Sequence, residues 1–216
     1  ARIKKLVDTH VTADEVMQIT RPVNIFDQEA FRQEVERVAG SAASKADMIA
    51  HQMKRTLIER MDEDPALYKK FSELIQQAID DFHRKRIEEL EYLNRVNKIY
   101  DDFTGNRFEG MPEILTNKPE ARAYYGVLHE VLEKKLNEAG LETVREQIAA
   151  AGIRIQEIIE NLKIVDWKTN PDVEKAMRNE IEDYLLELAS AIEIELDFDS
   201  IDLILDQAIK VAKTRG

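Results

Sequence analysis

The sequence predicts an all-α protein, an irregular multi-helix bundle of long amphipathic helices. Three observations carry this. Hydrophobic residues make up 44% and charged residues 34% of the 216 positions, with only seven glycines, a composition suited to helices and too rich in core residues for disorder. Apolar residues recur at three- and four-residue spacing in segment after segment. Cap residues stand where those segments begin.

Thr12 and Glu15 have capping-box spacing and open a short helix over 13–19. Pro22 then favours extended geometry, and Val23 and Ile25 alternate as a short strand or extended tether. Asp27 is an N-cap for "QEAFRQEVERV", which ends at Gly40. Ala46, Ile49, Met53, Leu57 and Met61 form one stripe over 44–61. In "DEDPALYKKFSELIQQAIDDFHRKR", Asp64 caps, Pro65 enters the first turn, and Leu67, Phe71, Leu74, Ala78 and Phe82 follow at helical spacing. The basic end His83 to Arg86 complements a helix C-terminus. A further helix over 87–103 passes through Leu90, Leu93, Val96 and Tyr100.

Glycine and proline concentrate in "TGNRFEGMPEILTNKP", a candidate internal linker at 104–119. Next comes a helix through Ala121, Tyr125, Leu128, Leu132 and Leu136, stopping at Gly140. Another runs through Val144, Ile148, Ile155, Ile159 and Leu162. A third starts after Asn170-Pro171 and carries Val173, Met177, Ile181, Tyr184 and Leu188. The last, capped by Asp199 or Ser200, turns Ile201, Ile204, Leu205, Ala208, Ile209 and Ala212 inward. No repeat of fixed period is visible, which argues against a solenoid.

The length suits one large domain or two small ones. With no cysteine, disulfides, thiolate metal sites and a cysteine nucleophile are excluded. No apolar run approaches the roughly 20 residues needed to cross a bilayer. The start "ARIKKLVDTHV" has no signal-peptide core and no initiator methionine, and reads as a piece of a longer chain. A formal net charge of −12 and a pI of about 4.9 make the surface as a whole a poor clamp for phosphate backbones.

The search for chemistry leaves no catalytic, cofactor-binding or metal site. Gly105 and Gly110 have phosphate-loop spacing, but Met111-Pro112 follows where Lys and Ser or Thr are needed. Pro171-Asp172 lacks the acidic-x-Lys partner of many metal-dependent nucleases, and fits a helix start. Asp47 and His51, or Asp80 and His83, have the spacing to share a metal. The second carboxylate-x-x-His pair of a di-iron bundle is missing, so solvated surface is the better reading. His129, among apolar positions, reads as a satisfied interior histidine. Glu182, Asp183 and Glu187 read as a solvated face, and no Gly-x-Ser-x-Gly elbow is present. The run His83 to Arg86, with Lys69 and Lys70, is the best nucleic-acid candidate. Charge matched to a helix end explains it more simply.

Trp167 is the single tryptophan. It sits just outside the helix that Asn170 caps, able to fold back over Val173 or Met177. Sealing the core beside Ile164 is favoured over a role as an exposed docking anchor.

The stretch around it, "VDWKTNPDVEKAMRNEIEDYLLEL", resembles the C-terminal helical region of R subunits of bacterial type I restriction-modification enzymes. Those subunits carry the equivalents of Val165-Asp166-Trp167, Asn170, Asp172-Val173, Met177 and Asn179 to Leu185. "MDEDPALYKKFSELIQQAID", "EARAYYGVLHEVLE" and "IDLILDQAIKVAKTRG" agree in the expected order, so the resemblance covers most of 55–216. "ARIKKLVDTHV" and "RPVNIFDQEAF" resemble the segment joining the motor to that region. The resemblance implies a connecting segment over 1–43 and a C-terminal helical domain over 44–216. It implies a bacterial, cytoplasmic parent enzyme with an N-terminal nuclease and two RecA-like ATPase domains that pump DNA. The helical part would dock these onto the modification (methyltransferase) and specificity subunits. ATP and Mg²⁺ would belong to the N-terminal portion, with no cofactor in this one, DNA engaged through the parent complex and no membrane contact. The competing readings are a stand-alone helical metal-binding protein and a helical module gripping DNA directly behind the motor.

Overall fold

The computed structural model describes residues 23–105, 107–108 and 110–216. Among these the chain is all-α, with eight α-helices and no strand. No helix among the described residues is long and apolar enough to cross a membrane. The expected capping box at Thr12 and helix over 13–19 lie outside the described residues. The helices are α1 (Gln28–Val38), α2 (Ala42–Glu59), α3 (Pro65–His83), α4 (Glu89–Thr104), α5 (Pro119–Leu132), α6 (Glu138–Leu162), α7 (Pro171–Ala191) and α8 (Phe198–Arg215). They fall into two compact units, one comprising Ala1–Glu59 and Phe71–Phe108, the other Arg60–Lys70 and Glu109–Gly216.

In the first unit Asp27 caps α1 as its sequence position predicts, its side chain accepting from the Ala30 N–H. Where a short strand or extended tether is expected at Val23 and Ile25, the chain turns at Ile25 and Phe26. The Asn24 carbonyl accepts from the Asp27 N–H at 3.0 Å, and Ile25 is buried. The Ile25 carbonyl takes the Tyr100 hydroxyl at 2.7 Å, which satisfies a phenol whose burial pushes its pKa up to about 12. Helix α2 packs on α1 and α4 through Ala46, Ile49, Met53 and Leu57. Met61 lies beyond that helix, in a short 3₁₀ turn. Two expected stripes hold in part, with Leu67, Phe71 and Ala78 of α3 and Val96 and Tyr100 of α4 buried as expected. Leu74 and Leu90 are exposed, and the buried faces use Ile75 in α3 and Tyr92, Val96, Tyr100 and Phe103 in α4. The cause is aromatic packing: Tyr92 stacks on Phe82 at 4.6 Å and Phe103 meets Phe71 edge-on at 5.1 Å. Large rings bury more area than one leucine, so they decide which side of α4 faces inward.

The second unit is built on α5 and α6, with α8 against α5 and α7 against α6 and α8. The expected stripes of α6 and α8 are buried through Val144, Ile148, Ile155 and Ile159, and through Ile201, Ile204, Leu205, Ala208, Ile209 and Ala212. Helix α5 stops at Leu132, before the expected Gly140. Gly140 lies inside the first turn of α6, where its N–H donates to the Asn137 cap at 2.8 Å. Helix α8 is capped by Asp197, which accepts from the Ser200 N–H, and not by Asp199 or Ser200. Asn170 does cap α7, accepting from Asp172 and Val173, with Pro171 in the first turn. Its stripe is buried at Met177, Ile181 and Leu188 but also at Leu185, while Val173 and Tyr184 pack at the edge.

Candidate functional site

The residues singled out for chemistry do not converge. Gly105 closes α4, its N–H donating to the Asp101 carbonyl. Gly110 has φ +80° in a turn, and the next α-helix begins only at Pro119. Asp47 accepts the Tyr92 hydroxyl at 2.9 Å, while His51 is exposed. Asp80 accepts from Gln76 at 2.8 Å, and His83 is exposed. No group of three metal-ligating side chains comes together among the described residues.

His129 departs from the interior reading. Its side chain is 38% exposed, with Nδ1 3.8 Å from Glu133 and the ring against Tyr125. Position 129 is at the margin of the α5 stripe, where the ring keeps an edge in water. Of the basic residues, Lys69 pairs with Glu130 at 2.6 Å and Arg86 with Asp81 at 3.2 Å. His83, Arg84 and Lys85 are exposed. Asp183 and Glu187 lie on a solvated face, as expected, with Glu182 half-buried.

The loop before α7 has a sharper geometry. Trp167 opens a 3₁₀ turn (Trp167–Thr169) and is 6% exposed, within the main core of its unit. The Lys163 ammonium sits 5.5 Å from the indole and also pairs with Glu160. The Cβ position of Gly216 would lie 3.2 Å from the ring, so the indole packs against the end of α8. The expected neighbour Ile164 is 55% exposed and Val165 86%. Asp166, at φ 62°, reverses the chain so that Trp167 turns in while Ile164 and Val165 face water. A buried indole thus anchors an exposed two-residue apolar knuckle.

The most buried charge in the described residues is one the sequence marks only as a cap. Asp64 is 1% exposed. One oxygen accepts from the Leu67 N–H and the other from Arg122 Nε at 3.1 Å. Burial pushes the Asp64 carboxyl up from its ordinary value, and the Arg122 and Arg215 guanidiniums pull it back. Arg215 also donates to the Glu63 carbonyl, and Lys210 pairs with Asp62 at 2.8 Å. No local pattern could have named Arg122 as the partner. The arrangement is suited to holding helices together.

No curated protein and no solved structure matches the chain. A family model described as type I restriction enzyme HindI endonuclease subunit-like, C-terminal, matches residues 1–214. The match runs through both helical units, including the Trp167 loop and the Asp64 segment, and agrees with the resemblance seen around Trp167. The chain therefore belongs to the family of C-terminal regions of type I restriction enzyme endonuclease subunits.

Proposed function

We propose that this region is the assembly domain of its endonuclease subunit, docking the motor and nuclease portions onto the methyltransferase core of modification and specificity subunits. The observation that supports this most is the family match over 1–214. Charged side chains at the conceivable sites are used structurally, Asp64 and Asp47 in bonds between elements and Asp80 in a bond within its own helix, which suits a scaffold better than a catalyst. On this reading residues 1–43 lead in from the motor and 44–216 form the docking domain, with 104–119 as an internal linker. ATP, Mg²⁺ and DNA cleavage belong to the parent's N-terminal portion, and the parent works in the bacterial cytoplasm.

The test compares the intact endonuclease subunit with one lacking this region, each mixed with purified methyltransferase core. The reading expects co-migration only for the intact subunit, and competition by the isolated region. Equal binding by the truncated subunit overturns it. The isolated region should also show no DNA-stimulated ATPase activity.

A second reading, direct contact with DNA, draws on the exposed Arg84 and Lys85. It expects salt-dependent duplex binding that falls when both are changed to alanine. The net charge of −12 and the pairing of Lys69 and Arg86 with acidic neighbours make it the weaker of the two.

A further inference from the structure

From Asn179 to Ile209 the sequence has ten carboxylates and no lysine, arginine or histidine, a formal charge of −10 against −12 for the whole chain. The stretch covers the later turns of α7, the connection after it and most of α8. Cations from outside it meet three of the acids: Arg154 faces Glu180, Lys135 pairs with Asp197, and Arg178 pairs with Asp206. Glu193, Glu195, Asp199 and Asp202 are exposed around the connection. A run of charge is ordinarily a solvated face. Here it surrounds large apolar side chains that also face water. Phe198 is 82% exposed, Leu186 50% and Leu203 42%. The Arg178–Asp206 and Glu174–Lys213 pairs set the antiparallel register of α7 and α8, which puts Leu186 level with Phe198. The start of α8 does not require this phenylalanine. Asp197 caps it by accepting from the Ser200 N–H. The two apolar positions that flank such a cap, one before it and one a turn after, are Leu196 and Ile201, both packed in the core.

We propose that the α7–α8 connection, with Phe198 at the start of α8, is the surface this domain presents to a basic face of the methyltransferase core that holds an apolar pocket. This names the contact within the assembly role proposed above and rests on it. An aromatic ring standing in water contributes little to the fold, yet buries a large area when a partner covers it, and such rings are frequent anchors at interfaces. The carboxylates around it form a rim of one sign, which steers a partner of the opposite sign and disfavours others. A second copy of this acidic chain brings like charge to the same place, and so does the DNA backbone. A core that acts on DNA carries basic surface, the complement of this rim.

The test measures binding of the intact endonuclease subunit to purified methyltransferase core over a series of salt concentrations, with a circular-dichroism melt for each variant. Binding by the unaltered subunit should weaken as salt rises, because screening removes the attraction of the rim. Phe198→Ser should weaken binding at least about tenfold, the loss expected of an anchor residue, with the melt unchanged. Glu195→Lys combined with Asp202→Lys should slow association and flatten the salt dependence. Salt-independent binding by the unaltered subunit overturns the proposal even where a variant fails to fold. So does normal binding by both folded variants. A subunit lacking the whole region is the control. If it binds as well as the intact subunit, the assembly role itself fails. If it does not bind while the folded variants bind normally, only the placement at α7 and α8 fails.

Discussion

Gly152 of α6 lies against Ala121 of α5 so closely that a Cβ on it would sit 2.5 Å from the Ala121 carbonyl oxygen and 2.9 Å from the Tyr125 nitrogen. Both contacts are to backbone, which cannot swing away. The two helices therefore meet at a point that only glycine permits, with Ala149 and Ala151 beside it, both fully buried. Gly152→Ala gains about 1 kcal/mol of helix propensity but must separate the helices, an overpacking cost of roughly 1–3 kcal/mol or more. The expected outcome is net destabilisation, read as an earlier unfolding transition in the fluorescence of Trp167, which reports on the same unit.

Two helices end on an unusual residue. Lys85 after α3 and Glu193 after α7 have φ of 56° and 55°. In each case the residue and its successor donate back into the helix, Lys85 to Phe82 and Arg86 to Asp81, Glu193 to Ser190 and Ile194 to Ala189. This is the helix stop that glycine normally occupies. A side chain in the left-handed region carries about 1–2 kcal/mol of strain, partly offset by the greater freedom glycine has when unfolded. Lys85→Gly and Glu193→Gly should each stabilise the protein, by about 0.5–1 kcal/mol in chemical denaturation. Unchanged or lower midpoints would show that Lys85 and Glu193 contribute compensating contacts.

Those stops also show what the sequence could not reveal. A start is written locally: Asp27, Asn137 and Asn170 each cap by bonding an N–H two or three residues on. Asp27 and Asn170 are legible as caps from residue type and position alone. A stop at lysine or glutamate carries no such mark, and Gly140 misleads because the Asn137 before it turns that glycine into a helix start. Apolar faces were legible where one stripe dominates, as in α6 and α8. They were ambiguous in α3 and α4, where Leu74 competes with Ile75 and Leu90 with Tyr92, and adjacent positions differ by about 100° around the helix. Asp64 was readable as a cap, but its ion pair reaches Arg122 across 58 positions. Such a partner is fixed by packing alone.

Acid should loosen the link between α7 and α8. Glu174 takes Lys213 at 2.6 Å and Arg178 at 3.3 Å, and Arg178 continues to Asp206. The Lys213 hydrogen bond is the main cause that lowers the Glu174 pKa below its ordinary value of 4.5. A lowered carboxylate contributes stability that is present above the unfolded pKa and lost as pH falls through the folded one. Glu174→Gln should therefore cost a few tenths to about 1 kcal/mol at pH 7. The gap from the unaltered protein should shrink as the pH is taken below 4.5. A gap that is constant with pH would assign the cost to geometry and not to charge.

The loop before α7 sets a buried indole beside two exposed apolar side chains within four residues. Trp167 is 6% exposed and packs in the core, whereas Val165 is 86% exposed. Trp167→Ala should destabilise the second unit by about 3–5 kcal/mol, the range for removing a large buried aromatic. Its melt must be followed by circular dichroism, since the indole itself is lost. Ile164→Ser and Val165→Ser remove apolar surface that already faces water, so their midpoints should stay within about 0.5 kcal/mol of the unaltered protein. If the knuckle contributes to assembly, the double substitution should weaken binding of the intact endonuclease subunit to the methyltransferase core without shifting the melt. Binding that survives while the fold is intact would move the contact elsewhere on the domain. Binding lost only with Trp167→Ala, in step with the melt, would mean that the loop matters through the core it closes.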